Sequence, residues 1–457
     1  MTSYEELGRP DHRPAGFDLR APWRLLRRRR DLRLLVTASL VSLSGDWILG
    51  IGLAYAVYDL TGSTLASTGT LLAGLLPQVL AGPLAGVLVD RWDRRRTMIA
   101  TNLAMAVGLL PLLLVTGADR VGLVYAVLVG QSLLEVFFAP AEQAMLPRLV
   151  DEDELVTANA VNGQARNLAR LLGGALGGTA AAVGGVPAVA ALDVLTFLAA
   201  ALLLRAIRTS GRVERRSTEA AEAAVQRRLT ALRDELRGGI RAASREPAIR
   251  VLLVFLLVTS AGEGIMGTLF APFVRDVLQG SGQAYGVICA VQAVGGLLGG
   301  LVVAGLAHRL SPLALLGAGS VLFGLVDLAI FLYPTAYVAI WPAVLGMVVV
   351  GIPGAGAAAG QMTIFQQHTS DAERGRVFSL VALAQTTAGV AGTVAAGLLG
   401  ESIGIVPVLA FQGVGYVVAG TYVTLALRGD RSGRPQGAVD ESSPASSGCD
   451  DSQAPRM

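Results

Sequence analysis

The sequence has no lysine, only two cysteines and three histidines, and it is poor in charged and aromatic side chains. Its 37 basic residues are all arginine, and charged and aromatic residues make up 16% and 5% of the 457 positions. A soluble domain carries about 25% charged residues, and a disordered chain needs low hydrophobicity and high charge. With 53% hydrophobic residues and a mean hydropathy of +0.57, this chain fits neither class. These numbers predict a membrane protein.

The scarce residue types also argue against several kinds of functional site. Cys289 and Cys449 lie far apart without a CxxC neighbour, so they support neither a disulfide framework nor a zinc site. His12, His308 and His368 are isolated, which argues against a histidine-based metal cluster. A Walker A motif needs a lysine, so ATP-driven transport within this chain is disfavoured. The sequence shows no nucleophile–base set either. We therefore expect no enzyme activity, no cofactor, no metal and no nucleic-acid partner.

Long apolar stretches recur from Leu34 to Leu427, separated by short segments of glycine, proline and charged residues. A helix that crosses a membrane needs roughly 20 mostly apolar residues. The pattern predicts an all-α polytopic membrane protein with twelve transmembrane helices in two six-helix bundles. The predicted helices are 34–58, 67–89, 97–116, 121–145, 159–184, 187–207, 249–274, 282–307, 312–333, 336–362, 376–400 and 403–427.

Polar segments flank and separate the two predicted bundles. The predicted regions are an Arg-rich cytoplasmic tail (1–33), an N-terminal bundle (34–207), a cytoplasmic linker (208–248), a C-terminal bundle (249–427) and a disordered cytoplasmic tail (428–457). Within the linker, residues 219–241 are rich in Ala, Leu, Arg and Glu, which predicts an amphipathic helix along the inner face of the membrane. A solvated tether with helical tendency is the alternative.

The arginines fall almost entirely on one side of the predicted helices. The tail up to Arg33 holds nine arginines and the segment 205–250 holds twelve. The loops predicted on the other side of the membrane hold only Arg120 and Arg275. Cytoplasmic loops of membrane proteins carry the excess of basic residues. We therefore predict a multi-pass protein of the bacterial cell membrane with both termini in the cytoplasm.

One motif after the second predicted helix has a counterpart in the second half of the chain. Both copies place small residues four apart, then a polar residue and an arginine: Gly82, Gly86, Asp90 and Arg91 in the first copy, Gly300, Ala304, His308 and Arg309 in the second. Parallel halves joined by a central cytoplasmic loop predict a transporter whose substrate site lies between them, near the middle of the membrane.

The stretch from Gly82 to Arg96 resembles the loop motif of the major facilitator superfamily, roughly G-x-x-x-D-R/K-x-G-R/K-R/K. Asp93 stands where the second glycine usually lies. This substitution, and the passages 58–63, 138–159 and 371–378, are similar to the branch that contains macrolide-efflux proteins and the enterobactin exporter. The resemblance covers residues 34–427. It implies the major facilitator fold and a drug:proton antiporter that works by alternating access.

The motif also has a physical reading. Glycines four residues apart let one face of a helix approach a neighbour closely. Asp90 then stands at the helix end beside arginines, where it can form an ion pair between helices that breaks when the halves rock. The resemblance implies the same role, a cytoplasmic latch that favours the outward-facing state and consists of Gly82, Gly86, Asp90, Arg91, Arg94 and Arg95. The alternative is that the arginines only set the topology.

Polar side chains inside the predicted helices are the candidates for proton coupling and substrate binding. An acid within a membrane is costly and marks a functional site by default. We expect Asp46 and at least one of Glu135 and Glu263 to couple proton movement to transport. Asp193 and Asp327 are weaker candidates, because such positions often pack against a neighbouring helix. Four glutamines are expected to add hydrogen bonds in the substrate cavity: Gln131, Gln292, Gln361 and Gln385.

Two arginines share a face of the fifth predicted helix, and buried arginines need acidic partners. The fourth predicted helix, which carries Glu142, or the acidic loop 151–154 is expected to supply them. We therefore assign Arg166, Arg170 and Glu142 to structural ion pairs.

These features together predict a secondary transporter. The best-supported function is a proton-coupled exporter of amphipathic drug-like or siderophore-like small molecules, acting as a monomer in the lipid bilayer. A lipid or lysolipid flippase of the same fold and a solute uptake permease remain alternatives. A channel is disfavoured by the paired halves, and a polytopic enzyme by the missing catalytic residues.

Overall fold

The computed structural model describes residues 21–89, 92–209, 211, 218–306, 309–369 and 371–428. Over these residues every regular element is helical. Short 3₁₀ turns and one π-helical turn, Phe273–Val277, connect or extend the longer helices. The α-helices are α1 (Ala21–Arg28), α2 (Arg30–Thr61), α3 (Thr64–Val89), α4 (Arg94–Leu109), α5 (Val121–Met145), α6 (Leu155–Arg205), α7 (Thr218–Arg245), α8 (Pro247–Pro272), α9 (Gly282–Leu306), α10 (Pro312–Leu332), α11 (Trp341–Gln367), α12 (Asp371–Ile403) and α13 (Ile405–Leu427).

The helix α6 combines the fifth and sixth predicted helices in one stretch. Gly184 and Gly185 interrupt it with non-helical backbone, and the φ of +59° at Gly185 is a conformation that glycine adopts without strain. Eleven stretches of the described chain are long and apolar enough to cross a membrane, and one of them is this 54-residue segment, Glu152–Arg205. The all-helical membrane architecture is confirmed. The division into twelve separate crossings stays a prediction.

The two groups of helices pack mainly within themselves and meet along two seams. In the N-terminal group α2 lies along α6, α3 along α5, and α4 against both α5 and α6. In the C-terminal group α8 lies along α12 and α13, α10 against α11 and α13, and α9 along α11. The seams are formed by α6 with α9 and by α3 with α12. Each seam joins a helix of the N-terminal group to a helix of the C-terminal group.

The hydrophobic core is continuous between the groups at one end only. Near Gly62, one buried cluster joins Leu53 and Val189 to Leu269 and Phe331 of the C-terminal group. Toward the other end each group has its own cluster, one built mainly on α2, α4, α5 and α6 and one on α7, α8 and α10–α13. We call the end that holds Gly62 the outer end, after the predicted orientation. The groups therefore share a core at the outer end.

Glycines bring the backbones of α6 and α9 into contact along their seam. A Cβ atom added at Gly178 would lie 2.3 Å from the carbonyl oxygen of Gly282 and 2.6 Å from the Cα of Gly286. No side chain fits there, so the seam depends on small residues, as is common where helices approach closely in membranes.

The linker contains a helix, α7, that packs on the protein. Ser379 of α12 donates a hydrogen bond to Glu235 at 3.0 Å, and Gly239 lies against the backbone of Arg376. Ala242 and Ala243 are buried in the same cluster as the inner ends of α8 and α12. The small residues on this face of α7 allow the close contact, and α7 also touches α3.

Candidate functional site

The outer end is closed by polar contacts between the two groups of helices. Arg275 Nε donates to Asp59 Oδ1 at 2.6 Å, Ser63 Oγ donates to Glu401 Oε1 at 2.6 Å, and the Tyr58 hydroxyl donates to the carboxylate of Asp276. We call these six residues the outer gate: Tyr58, Asp59, Ser63, Arg275, Asp276 and Glu401. Below it, the hydroxyls of Thr64 and Thr68 donate to backbone carbonyls of α12. The space between the groups is thus sealed from the outer side.

The outer gate was not predicted from the sequence. The sequence drew attention to the passage 58–63 and to Arg275, one of only two arginines in the outer loops and directly followed by an acid, Asp276, but it did not connect the two segments. The partner of Arg275, Asp59, lies 216 residues earlier in the chain. Such a pairing depends on how the two groups of helices dock, which no local pattern encodes.

Asp46 lies half-buried near the middle of α2, beside two other acids. Its charge interacts with those of Glu135 on α5 and Asp193 on α6. Asp193 is fully buried and accepts a hydrogen bond from Thr196 Oγ1 at 2.9 Å. Asp193 and Thr196 pack on Gly45, where an added Cβ would lie 2.0 Å from Asp193 Oδ1 and 2.0 Å from Thr196 Oγ1. The glycine therefore lets α6 bring a second carboxyl next to Asp46.

The C-terminal group repeats this arrangement. Gly262-Glu263 occupies the same place in α8 as Gly45-Asp46 in α2, the first long helix of each group. A Cβ at Gly262 would lie 2.9 Å from Gln412 Cγ on α13, the last helix of its group. The repeat was a readable signal in the sequence: a glycine followed by an acid, and then by an isoleucine two residues later, in both halves.

Glu263 faces the space between the two groups. The hydroxyl of Tyr416 donates a hydrogen bond to it, and Gln412 Nε2, four residues earlier on α13, donates to Asp327 at 2.8 Å. Glu263 and Gln385 line a cavity of about 440 Å³, whose opposite wall consists of Leu71 and Leu75 of α3. The cavity thus combines one carboxylate with an apolar wall supplied by the other group of helices.

The remaining predicted cavity residues do not gather in one place. Glu135 is half-buried on α5, forms a side-chain hydrogen bond with Gln78 and interacts with the charge of Arg166. Gln131 is buried against α4, where its Nε2 donates to the carbonyl of Met105 at 2.8 Å. Gln361 is half-buried on α11. The structure therefore brings Glu135 toward Asp46 and directs Gln131 away from it.

One of the two predicted arginine ion pairs is present. Arg166 Nη2 lies 2.7 Å from Glu142 Oε2, and Asn162 donates to the other carboxylate oxygen at 3.3 Å. The side chain of Glu142 is 1% exposed, so this pair fixes the inner part of α5 to α6. Arg170 departs from the prediction: its Nη2 donates to Gln292 of α9 at 2.9 Å. One turn further along α6, it points across the seam and away from Glu142.

The predicted latch is only partly within the described residues. Asp90 and Arg91 lie outside them, as does the side-chain environment of Gly86. The close helix approach expected at Gly82 is not made here, because an added Cβ there has no atom within 4 Å. This end of α3 lies where the two groups of helices have separate cores, which explains the open space.

The arginines of the motif bind helix ends within the N-terminal group. Arg94 Nη1 donates to the carbonyl of Ala144 at 2.8 Å, and Arg95 Nε donates to that of Leu204 at 3.1 Å. Both carbonyls belong to the last turn of a helix, where the helix dipole favours a cation. Asp93 caps α4, because its carboxylate accepts from the backbone N–H of Arg96 at 3.0 Å. The acid in place of the usual glycine therefore has a structural reason.

Comparison with known proteins decides the family. The transmembrane secretion effector family of MFS transporters matches residues 21–432. The chain belongs to this family. The match covers all thirteen α-helices of the described residues, so the predicted resemblance to the major facilitator superfamily is confirmed.

Two curated relatives are efflux proteins. The multidrug efflux pump Tap of Mycolicibacterium fortuitum is 28% identical over 83% of this chain and 91% of its own length. Macrolide efflux protein A of Streptococcus pyogenes is 25% identical over 80% of this chain and 88% of its own. The predicted efflux branch is confirmed, and the chain is a membrane transporter.

A solved structure shares the fold. A bacterial homologue of the iron transporter ferroportin in an inward-facing state superposes with a TM-score of 0.68, covering 87% of this chain and 98% of that one. Its sequence identity is 15%, so the likeness extends to the fold alone. In the described part of the chain, no three His, Cys, Asp or Glu side chains are grouped so that they could hold a metal ion.

Proposed function

We propose that this chain is a proton-coupled exporter of amphipathic small molecules, drug-like or siderophore-like, that works as a monomer by alternating access. In this proposal it lies in the bacterial cell membrane with both termini in the cytoplasm. One observation carries the proposal: carboxyl groups from both halves, Asp46 and Glu263, lie well inside the long helices α2 and α8, below a closed outer gate. The efflux function of the relatives Tap and macrolide efflux protein A gives the direction of transport.

The acids supply the coupling in this mechanism. Burial disfavours the charged form of a carboxyl group, so such a group takes up a proton in a poorly hydrated site and loses it when water or a cation enters. A proton bound from the outer side is then released to the cytoplasmic side when solute binds. Because linkage is reciprocal, solute must weaken proton binding by the same free energy with which protons weaken solute binding.

The outer gate and the glycine seam supply the conformational change. For solute to leave, the contacts between Arg275 and Asp59 and between Ser63 and Glu401 must break, while the halves close at the cytoplasmic end. The structure would then represent the inward-facing state, in which solute enters from the cytoplasm or the inner leaflet. The latch motif would stabilise the opposite state.

Transport by the purified protein in lipid vesicles tests this function. Vesicles with an acidic lumen should accumulate a permanently cationic rhodamine ester from a neutral medium, and an ionophore that collapses the pH gradient should stop this accumulation. Vesicles without protein provide the background. Uptake that is unchanged when the gradient is collapsed would contradict proton coupling. Movement of labelled phospholipid between leaflets, with no solute transport, would favour the flippase alternative.

A further inference from the structure

Arg170 is a cation in the middle of the membrane that the proposed function leaves without a role. Its guanidinium is exposed in the space between the two groups of helices, where Nη2 donates to Gln292 Oε1 at 2.9 Å. Its Cζ atom lies 5.3 Å from the centre of the Trp47 ring. No carboxylate in the described part of the chain forms an ion pair with it, in contrast to Arg166 one turn earlier.

A structural role would require a different environment. Arginines within a membrane are costly, and those with structural roles pair with acids or with backbone carbonyls. Arg170 instead has two neutral partners, an amide oxygen and an aromatic face. The bond to Gln292 uses one of the five N–H donors of a guanidinium, whose planar fork matches the two oxygens of a carboxylate. The guanidinium therefore retains donors for an anionic ligand.

Trp47 is held in place beside the guanidinium. An added Cβ at Gly173 would lie 2.3 Å from Trp47 Cβ, so α6 packs directly against the base of this side chain. Trp47 is 38% exposed, and its ring lies beside the exposed side chain of Arg170. A ligand at Arg170 would thus meet a fixed aromatic surface, which favours a planar or aromatic group next to its anionic group.

The other half of the protein supplies a negative charge that interacts with Arg170. This charge belongs to Glu263 on α8, which forms no ion pair with Arg170 in the described part of the chain. Glu263 lines the cavity that Leu71 and Leu75 close from the opposite side. The space between the halves therefore has a positive site on α6, a negative site on α8 and apolar walls.

We propose that Arg170, Gln292 and Trp47 form an anion subsite that binds a carboxylate or similar oxyanion of the transported molecule. A positively charged group of the same molecule then faces Glu263, so zwitterions with an aromatic ring are bound more tightly than cations of the same shape. The inference rests on the proposed function only in taking the space between the halves as the substrate site. It does not depend on proton coupling.

Matched pairs of acids and esters test the subsite on the full-length purified protein. The probes are a rhodamine with a free carboxylate and its methyl ester, together with three aromatic amino acids and their methyl esters. Dissociation constants come from fluorescence polarisation for the dyes and from thermal stabilisation for the others. In the wild type we expect at least one acid to bind about tenfold more tightly than its ester. Arg170→Gln should remove that preference, and Arg170→Lys should keep part of it.

The control variant is Arg120→Gln, which removes an arginine of the outer loop without touching the cavity. It should bind every probe as the wild type does. The proposal is overturned if no acid binds more tightly than its ester in the wild type, or if Arg170→Gln keeps the acid preference. Binding without gradient-driven transport would contradict the proposed coupling and leave the subsite intact. Gradient-driven transport by a wild type that binds acids and esters equally well would contradict the subsite and leave the proposed coupling intact.

Discussion

Arg275 and Asp59 form an ion pair that joins the two halves of the protein at the outer end, with 2.6 Å between Nε and Oδ1. Arg275 also pairs with Asp276 at 2.9 Å and covers the ring of Tyr58, 5.7 Å from its centre. The two side chains are 34% and 53% exposed, and exposed ion pairs contribute only about 0.2–1 kcal/mol each. A weak contact of this kind suits a gate, because in the proposed mechanism it breaks in every transport cycle.

Arg275→Ala should shift the protein toward the state that is open outward. Loss of the pair with Asp59 and of the contact with Tyr58 removes about 1 kcal/mol from the closed outer end, roughly a fivefold change in the ratio of the two states. The distance between spin labels on the outer ends of α2 and α8 reports this ratio. Arg120→Ala is the matched control, because Arg120 pairs with Asp119, its neighbour in the same loop, and so this pair does not join the two halves. Equal distance distributions in wild type and Arg275→Ala would refute the gate.

The seam between α6 and α9 gives a second prediction. In Gly178→Ala the added Cβ would lie 2.3 Å from the carbonyl of Gly282, so the helices must move apart. Overpacking of this kind costs about 1–3 kcal/mol, and the thermal unfolding midpoint in detergent should fall. Gly50→Ala is the control, because a Cβ there meets nothing within 4 Å while the gain in helix propensity is the same. A Gly178→Ala midpoint at or above that of Gly50→Ala would contradict the close contact.

The ion pair between Glu142 and Arg166 gives a third prediction. Arg166→Gln would leave a carboxylate that is 1% exposed without its charge partner. The loss should be about 3 kcal/mol of unfolding free energy, near the lower limit for buried pairs because Arg166 is itself 42% exposed. The double variant Glu142→Gln/Arg166→Gln should be more stable than Arg166→Gln, since it removes the unpaired charge. A double variant less stable than Arg166→Gln would show that the pair is not what holds α5 to α6.

The order of the helices and the places of the acids were predictable from the sequence. Apolar stretches of crossing length fix the helices, and the cost of a carboxylate in a membrane singles out Asp46 and Glu263. The capping role of Asp93 was also readable, because an acid directly before a helix accepts from the N–H three residues later. What these features share is that each depends on a short segment of chain.

The surroundings of Arg170 were not predictable in this way. Arg166 and Arg170 have the same type, the same helix face and a separation of one turn, so the sequence predicts one role for both. Only the docking of α9 places Gln292, 122 residues away in the chain, 2.9 Å from Arg170. Of the two arginines, Arg166 is therefore the one that pairs with Glu142. The outer gate was missed for the same reason. Contacts across the seams depend on the relative position of the halves, which no short segment of the sequence determines.

The last prediction concerns the mid-depth acids. Asp46→Asn should abolish uphill export driven by a pH gradient while downhill movement of solute continues, because the amide keeps the size of the side chain but binds no proton. Glu263→Gln should act in the same direction. Since Asp46 interacts with Glu135 and with the buried Asp193, loss of its charge should also make proton binding by the remaining acids less dependent on one another. Transport by vesicles with and without an imposed gradient separates these effects.

Asp119→Asn is the control for these variants, because this acid lies in an outer loop with 78% of its side chain exposed. It should transport uphill at the wild-type rate. Solute-induced proton release by the purified protein provides a readout that does not require turnover: the wild type should release protons on binding the cationic rhodamine ester, and Asp46→Asn should release fewer. If Asp46→Asn, Glu135→Gln and Glu263→Gln all transport uphill as well as the wild type, these acids do not carry the coupling. Their contacts with Asp193, Gln78 and Tyr416 would then serve only to hold the helices together.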